Sequence, residues 1–182
     1  MKKFSRYCVP VCLGLISSSA ALAANKAVPI GIDLGTTTCT QVRQDKASEW
    51  NLSEPVVSAW SDGTLLKSSN PSIAGLSGVS SLVIVCDPQD RTILVELKIP
   101  KRSVQEIANG LDDKYKSVKR NLPSLGNGTA QWKASNATIS ISYQHVSFDA
   151  YLEYETPEAA KLWKDYQQKE NEKKRQEMTN QL

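Results

Sequence analysis

The sequence predicts an α+β protein: an antiparallel sheet built from two helix-plus-hairpin or meander units, followed by a C-terminal helix. Three observations carry that expectation. Segments such as "RTILVELKI" and "ATISISY" alternate apolar and polar residues, the pattern of antiparallel strands with one dry face. Helical patterns stand singly between runs of strands, which argues against a parallel α/β sheet. A helix followed by strands occurs twice, dividing a single domain at 24–168 into pseudo-repeats of about 28–100 and 101–156.

The N-terminus sets the compartment. Lys2, Lys3 and Arg6 precede an apolar run from Tyr7 to Ile16 and small residues ending in Ala21-Leu22-Ala23. Residues 1–23 therefore read as a bacterial signal peptide, with a mature chain starting at Ala24 and bound for the periplasm or the exterior. The run is shorter than the roughly 20 residues a membrane-spanning helix needs. Removing 1–23 takes three of the 22 basic residues and none of the 19 acidic ones, leaving 19 against 19. The basic pI belongs to the leader, and no basic stripe survives to suggest nucleic acid. Cys8 and Cys12 leave with it, while Cys39 and Cys86 remain. An even pair in an oxidising compartment predicts a disulfide, the other possibility being two buried thiols. Closing that loop stabilises by about 4 kcal/mol in the chain-entropy model.

Val28 to Leu34 reads as a short strand running into a turn at Gly35. Thr38 and Gln41 form a capping-box pattern before a short helix, Cys39 to Lys46, with Cys39 and Val42 on one face. The segment 47–78 is rich in Ser, Gly, Pro and Asn, and inside it "PVVSAW" and "TLLK" flank Ser61-Asp62-Gly63, a hairpin signal. "SSLVIVC" and "RTILVELKI" form a second hairpin about Asp87-Pro88-Gln89-Asp90, with Ile93, Val95, Leu97 and Ile99 sharing one face. "RSVQEIANGLDDKYKSV" reads as an amphipathic helix with Ser103 and Glu106 as a capping box and Val104, Ile107, Ala108, Leu111 and Tyr115 on its dry side. After "NLPSLGNG" come three strands, "TAQWK", "ATISISY" and "FDAYLEY", the last with Phe148, Ala150, Leu152 and Tyr154 inward. Pro157 opens the final helix, whose apolar face is Ala159, Leu162, Trp163 and Tyr166; 169–182 is a charged helical tail.

Two stretches bear on chemistry. "GIDLGTTTCT" resembles the phosphate loop of the Hsp70 and actin-like ATPases, whose loop turns straight into a second apolar strand. Here the polar, helical "TQVRQDK" follows, so the expectation is a turn at Gly35 and a cap at Thr38, with no nucleotide and no cofactor. One histidine, His145, and no G-x-S-x-G elbow leave no expected catalytic residue, and two distant cysteines leave no metal site. Asp112 and Asp113 read as a solvated helix face. Trp50 and Trp60, in the turn-rich segment, are the candidate partner-binding anchors, unless each packs back onto the sheet.

The Thr-x-x-Gln-Val run at Thr38 to Val42, a helix feeding antiparallel strands, resembles the start of the SmpA/OmlA-type outer-membrane assembly proteins, although Asp45-Lys46-Ala47 replaces their Leu-Gly-x-Pro. The order of elements is similar to the tandem helix-plus-sheet fold of the secreted β-lactamase inhibitor protein. The expectation is an exported, non-catalytic protein that binds another periplasmic or envelope protein, as an interaction module or inhibitor. The alternatives are a small hydrolase using paired carboxylates, such as Asp33 with Asp87, or a small-ligand carrier.

Overall fold

The computed structural model describes residues 25–181; the leader read at 1–23 lies outside them. The elements run α1 (Cys39–Lys46), β1 (Val56–Val57), β2 (Thr64–Ser69), β3 (Ser81–Cys86), β4 (Thr92–Pro100), α2 (Val104–Asp112), β5 (Lys116–Asn121), β6 (Gly128–Lys133), β7 (Thr138–Tyr143), β8 (Asp149–Glu155) and α3 (Pro157–Thr179). All eight strands form one antiparallel sheet in the order β1-β2-β3-β4-β8-β7-β6-β5. Each half is one helix followed by a four-stranded meander. The last strands of the two halves, β4 and β8, meet at the centre, from Leu94 opposite Glu155 to Pro100 opposite Asp149. The α+β architecture is therefore the one its alternating strands and solitary helices imply.

Alternation sorts the strand residues onto two faces. Leu82, Ile84, Val95, Leu97, Ile139, Ile141 and Leu152 point to one face, each 1% exposed or less, and pack with Cys39 and Val42 of α1 and Val104, Ala108 and Leu111 of α2. Each such side chain contributes about 1.5–3 kcal/mol relative to exposure. Trp132, wholly buried in this layer, donates its indole N–H to Asp112 Oδ1 at 2.6 Å. Asp112 also pairs with Arg120, so it links α2 to β5 and β6 while staying, like Asp113, at the exposed end of the helix. On the opposite face only a small cluster forms: Val85, Ile93 and Ala159 are buried, with Leu65, Val83, Leu94, Trp60 and Leu162 packed against them.

Several local expectations change. Val28 to Leu34 is not a strand. Pro29 opens a 3₁₀ turn, and Asn136 clamps the segment by accepting from Ala27 N–H and donating to Leu34 C=O. Ile93 leaves the face of Val95, Leu97 and Ile99 because the β3–β4 register shifts beside Cys86, opposite Thr92, and a bulge there redirects it. Helix α2 stops at Asp112, Ser103 makes no side-chain cap, and Tyr115 lies past the helix end. Residues 116–121 form the edge strand β5, all six exposed; a polar edge carries no apolar alternation to announce it. Phe148 precedes β8 and is 91% exposed.

Candidate functional site

Both α1 and α2 lie on one face of the sheet, which leaves the other open except where α3 crosses the β2–β4 end. Helix α3 is seated at its start. Thr156 accepts from Ala159 N–H at 3.1 Å, and Arg91 reaches both the wholly buried Asp87 and Glu158 of the first turn. Ala159 is buried and Leu162 half-buried against the sheet, whereas every residue from Asn171 to Gln181 is exposed.

Beneath the first turns of α3 lies a cleft of ≈ 390 Å³. Its apolar lining is Leu65, Val83, Val85 and Leu94, and its polar lining is Lys67, Glu96, Glu153 and Glu155. The register explains the grouping. Lys67, Val83, Glu96 and Glu153 stand opposite one another in succession across β2, β3, β4 and β8, and Leu65, Val85, Leu94 and Glu155 form the next row. Cross-strand neighbours have Cβ atoms about 4.5–5.5 Å apart, so Glu96 and Glu153 share one patch, with Glu155 two residues along the same strand. Among the described residues, none forms an ion pair with these three carboxylates. Burial and the charges of Glu155 and Glu96 push the Glu153 carboxyl up to about 7. Burial alone raises Glu96 and Glu155.

Two tryptophans complete the cleft. Trp60 meets Trp163 edge to face, with centroids 5.8 Å apart and planes at 76°, and Trp163 stacks on Tyr166 at 5.8 Å and 24°. Trp60 is held by the turn between β1 and β2. Ser61 is buried and donates to Cys86 C=O at 2.8 Å. Gly63 sits so close to that strand end that a Cβ there would lie 2.2 Å from the Cys86 oxygen. Cys86 is bonded to Cys39, with Cα atoms 6.1 Å apart, so the disulfide joins the start of α1 to the strand end against which this turn rests. The predicted bridge is present and indirectly positions Trp60.

The other candidate residues have different places. Trp50 is 3% exposed within the main core, so it is a packing residue and not a surface anchor. Its Ser/Gly/Pro-rich setting disguised a loop that folds over the sheet. Asp33 pairs with Lys26 at 2.7 Å and Asp87 with Arg91, so each carboxylate has its own cation. His145 accepts from Gly126 N–H at 2.8 Å and receives no carboxylate. In the stretch after Leu34 the amides are committed: Gly35 N–H donates to Thr92, those of Thr36 and Thr37 to Asp33 C=O, and that of Thr38 to Gln41 Oε1. A phosphate would have to compete with every one of those bonds.

Sequence reasoning passed over Glu96, Glu153, Glu155 and Trp163 as site residues. The signal available was Glu153 and Glu155 two apart on the polar side of one strand. Their meeting with Glu96 depends on the β4–β8 pairing. Two larger hollows, each ≈ 520 Å³, lie beside the tail at Glu172 and Arg175 and at the hairpin tips near Asn127 and Tyr151; each offers one carboxylate, and in the second that is Asp149, already paired with Lys98. None of the described helices is long and apolar enough to cross a membrane. Compared with protein-family models, with curated proteins and with solved structures, the chain matches none.

Proposed function

We propose that this chain is an exported, non-catalytic module of the bacterial envelope that binds another protein through the open face of its sheet. The observation that carries the reading is the one-sided packing. Both repeat helices and the N-terminal segment cover one face, while the central strands present Tyr151, Ser142, Ser140, Glu153 and Glu96 on the other, beside Trp60 and Trp163. Aromatic rings beside a broad polar surface are the composition of a protein-recognition patch. The signal peptide read at 1–23 and the Cys39–Cys86 bond suit an oxidising compartment. The resemblance to envelope-assembly and inhibitor proteins of tandem helix-plus-sheet design points the same way. The ligand-carrier reading is less favoured, because Leu82, Ile84, Val95, Trp132 and Ile141 fill the space between sheet and helices, each 0% exposed.

The test is capture of partners from an envelope extract by the mature protein and two variants. Ser142→Trp plants a ring on the open face, and Gln105→Trp plants one on the outer surface of α2. Loss of a captured protein with the first and not the second supports the reading; equal capture by both places the interface elsewhere. One observation favours the hydrolase reading: Glu153, near neutrality in its titration, stands opposite Glu96, as an acid–base pair would. Turnover of peptidoglycan fragments or glycosides, abolished by Glu153→Gln, would establish that activity instead.

A further inference from the structure

The open face is not electrically uniform, and the imbalance specifies what it can receive. Its centre, where β4 meets β8, carries Glu96, Glu153 and Glu155 in one cleft with the single cation Lys67. Lys98 and Asp149, farther along the same strands, pair at 2.8 Å and cancel. The cleft thus holds an uncompensated negative charge at partly desolvated positions, which the fold keeps without an internal ion pair. Trp163 remains 42% exposed although it stacks on Tyr166 and abuts Trp60. A cation is the group both features accept: carboxylates supply charge-assisted acceptors, and indole faces attract a guanidinium. Among protein cations, arginine fits best. Its planar fork offers five donors to carboxylates set side by side by strand register, and its flat face stacks on aromatic rings.

Resting on the docking reading above, we propose that the cleft is the specificity pocket of that interface and receives an arginine side chain of the partner protein. The backbone of the partner segment lies along the open face over β8 and β7. The arginine enters between Trp163 and the Glu96–Glu153 pair. Lys67, on the far side of Val83 in the same row, disfavours a second cation and so limits the pocket to one.

The probe is the peptide acetyl-Gly-Arg-Gly-amide, with its citrulline counterpart as a neutral isostere and agmatine as a free small cation. Binding is followed through the indole N–H resonances, with the buried Trp50 and Trp132 as internal references. The arginine peptide should shift Trp60 and Trp163 saturably, and the citrulline peptide should not. Glu96→Gln/Glu153→Gln, which removes charge while keeping shape, should weaken binding about tenfold or more. Equal binding of the citrulline peptide, unchanged affinity of the double variant, or shifts confined to other surfaces overturn the proposal. Agmatine binding more tightly than the peptide would also overturn it, in favour of a small-amine site. The two readings separate cleanly: if Ser142→Trp abolishes partner capture and Glu96→Gln/Glu153→Gln does not, the docking face stands and the arginine pocket falls.

Discussion

Glu153→Gln should make this protein more stable at alkaline pH and leave it nearly unchanged at acid pH. The reason lies in register. Glu153 faces Glu96 across β4–β8, with Glu155 beside it and water partly excluded by the strands and the Trp60–Trp163 pair. Burial first, and then those neighbours, hold its folded carboxyl at about 7, against an ordinary value of 4.5. A raised carboxyl binds its proton more tightly in the folded state than in the unfolded one. Its contribution is therefore favourable below the ordinary value and is lost as pH rises from about 4.5 to about 7. Taken at full value the difference is about 3 kcal/mol, at 1.36 kcal/mol per tenfold change in proton affinity. The carboxylate is only partly shielded, so solvent screening reduces this to roughly 1–2 kcal/mol.

Glutamine keeps the volume and removes the charge, so the variant should gain that 1–2 kcal/mol at pH 8, about 2–8 °C in Tm for a domain of this size. At pH 4 both proteins carry a neutral group there, and their stabilities should agree within about 0.5 kcal/mol. Urea denaturation at the two pH values measures both differences. Glu96 and Glu155, raised by burial, steepen the wild-type slope in the same direction, which is why the difference between proteins is the quantity to read. If the variant is no more stable at pH 8, or gains equally at pH 4, the three carboxylates do not burden one another as their placement implies.

Other parts of the fold give equally direct outcomes. Thiol labelling of unfolded, unreduced protein should find neither Cys39 nor Cys86 free, and reduction should lower stability by about 4 kcal/mol; two labelled thiols would remove the bridge. Asp112→Ala strips the wholly buried Trp132 indole of its acceptor and Arg120 of its partner, and should cost about 1–3 kcal/mol in chemical denaturation. Deleting 171–182 should leave Tm within about 1 °C, since every described residue there is exposed. Trp163→Ala, at a ring 42% exposed, should cost about 1–2 kcal/mol, well below the 3–5 kcal/mol of a fully buried ring.

What could be read from the letters was whatever is encoded within a few residues. Thr38 and Gln41 announce the cap of α1, and each supplies the hydrogen bond the pattern implies. The alternation of Val95, Leu97 and Ile99, or of Ile139 and Ile141, correctly puts them on the buried face. Local signals failed where tertiary structure overrides them. Strand β5 contains Lys116, Lys119 and Arg120 and is held by pairing with β6, with no dry face of its own. Trp50 looked exposed because its neighbours are polar, yet Ser68 donates to its carbonyl and the loop closes over the core.

The cleft was the least legible part, for the same physical reason in its strongest form. Glu96 reads as one polar residue in an alternating strand, and Glu153 and Glu155 read as two in another. Nothing within either segment says that β4 pairs with β8 and not with an edge. That pairing is long-range: the two meanders meet last strand to last strand, which covers one edge of each and leaves β1 and β5 as the edges of the whole sheet. Joining them that way superposes the polar faces of β4 and β8 and concentrates their acids at the sheet centre, where α3 then lays Trp163 alongside. The acidic cleft is thus a consequence of the β4–β8 junction. Charge at its floor is tolerated at a stability cost that Glu153→Gln should expose, and with Lys67 as its one lining cation and no ion pair to its three acids among the described residues, the cleft is the place proposed above to meet a cation from outside.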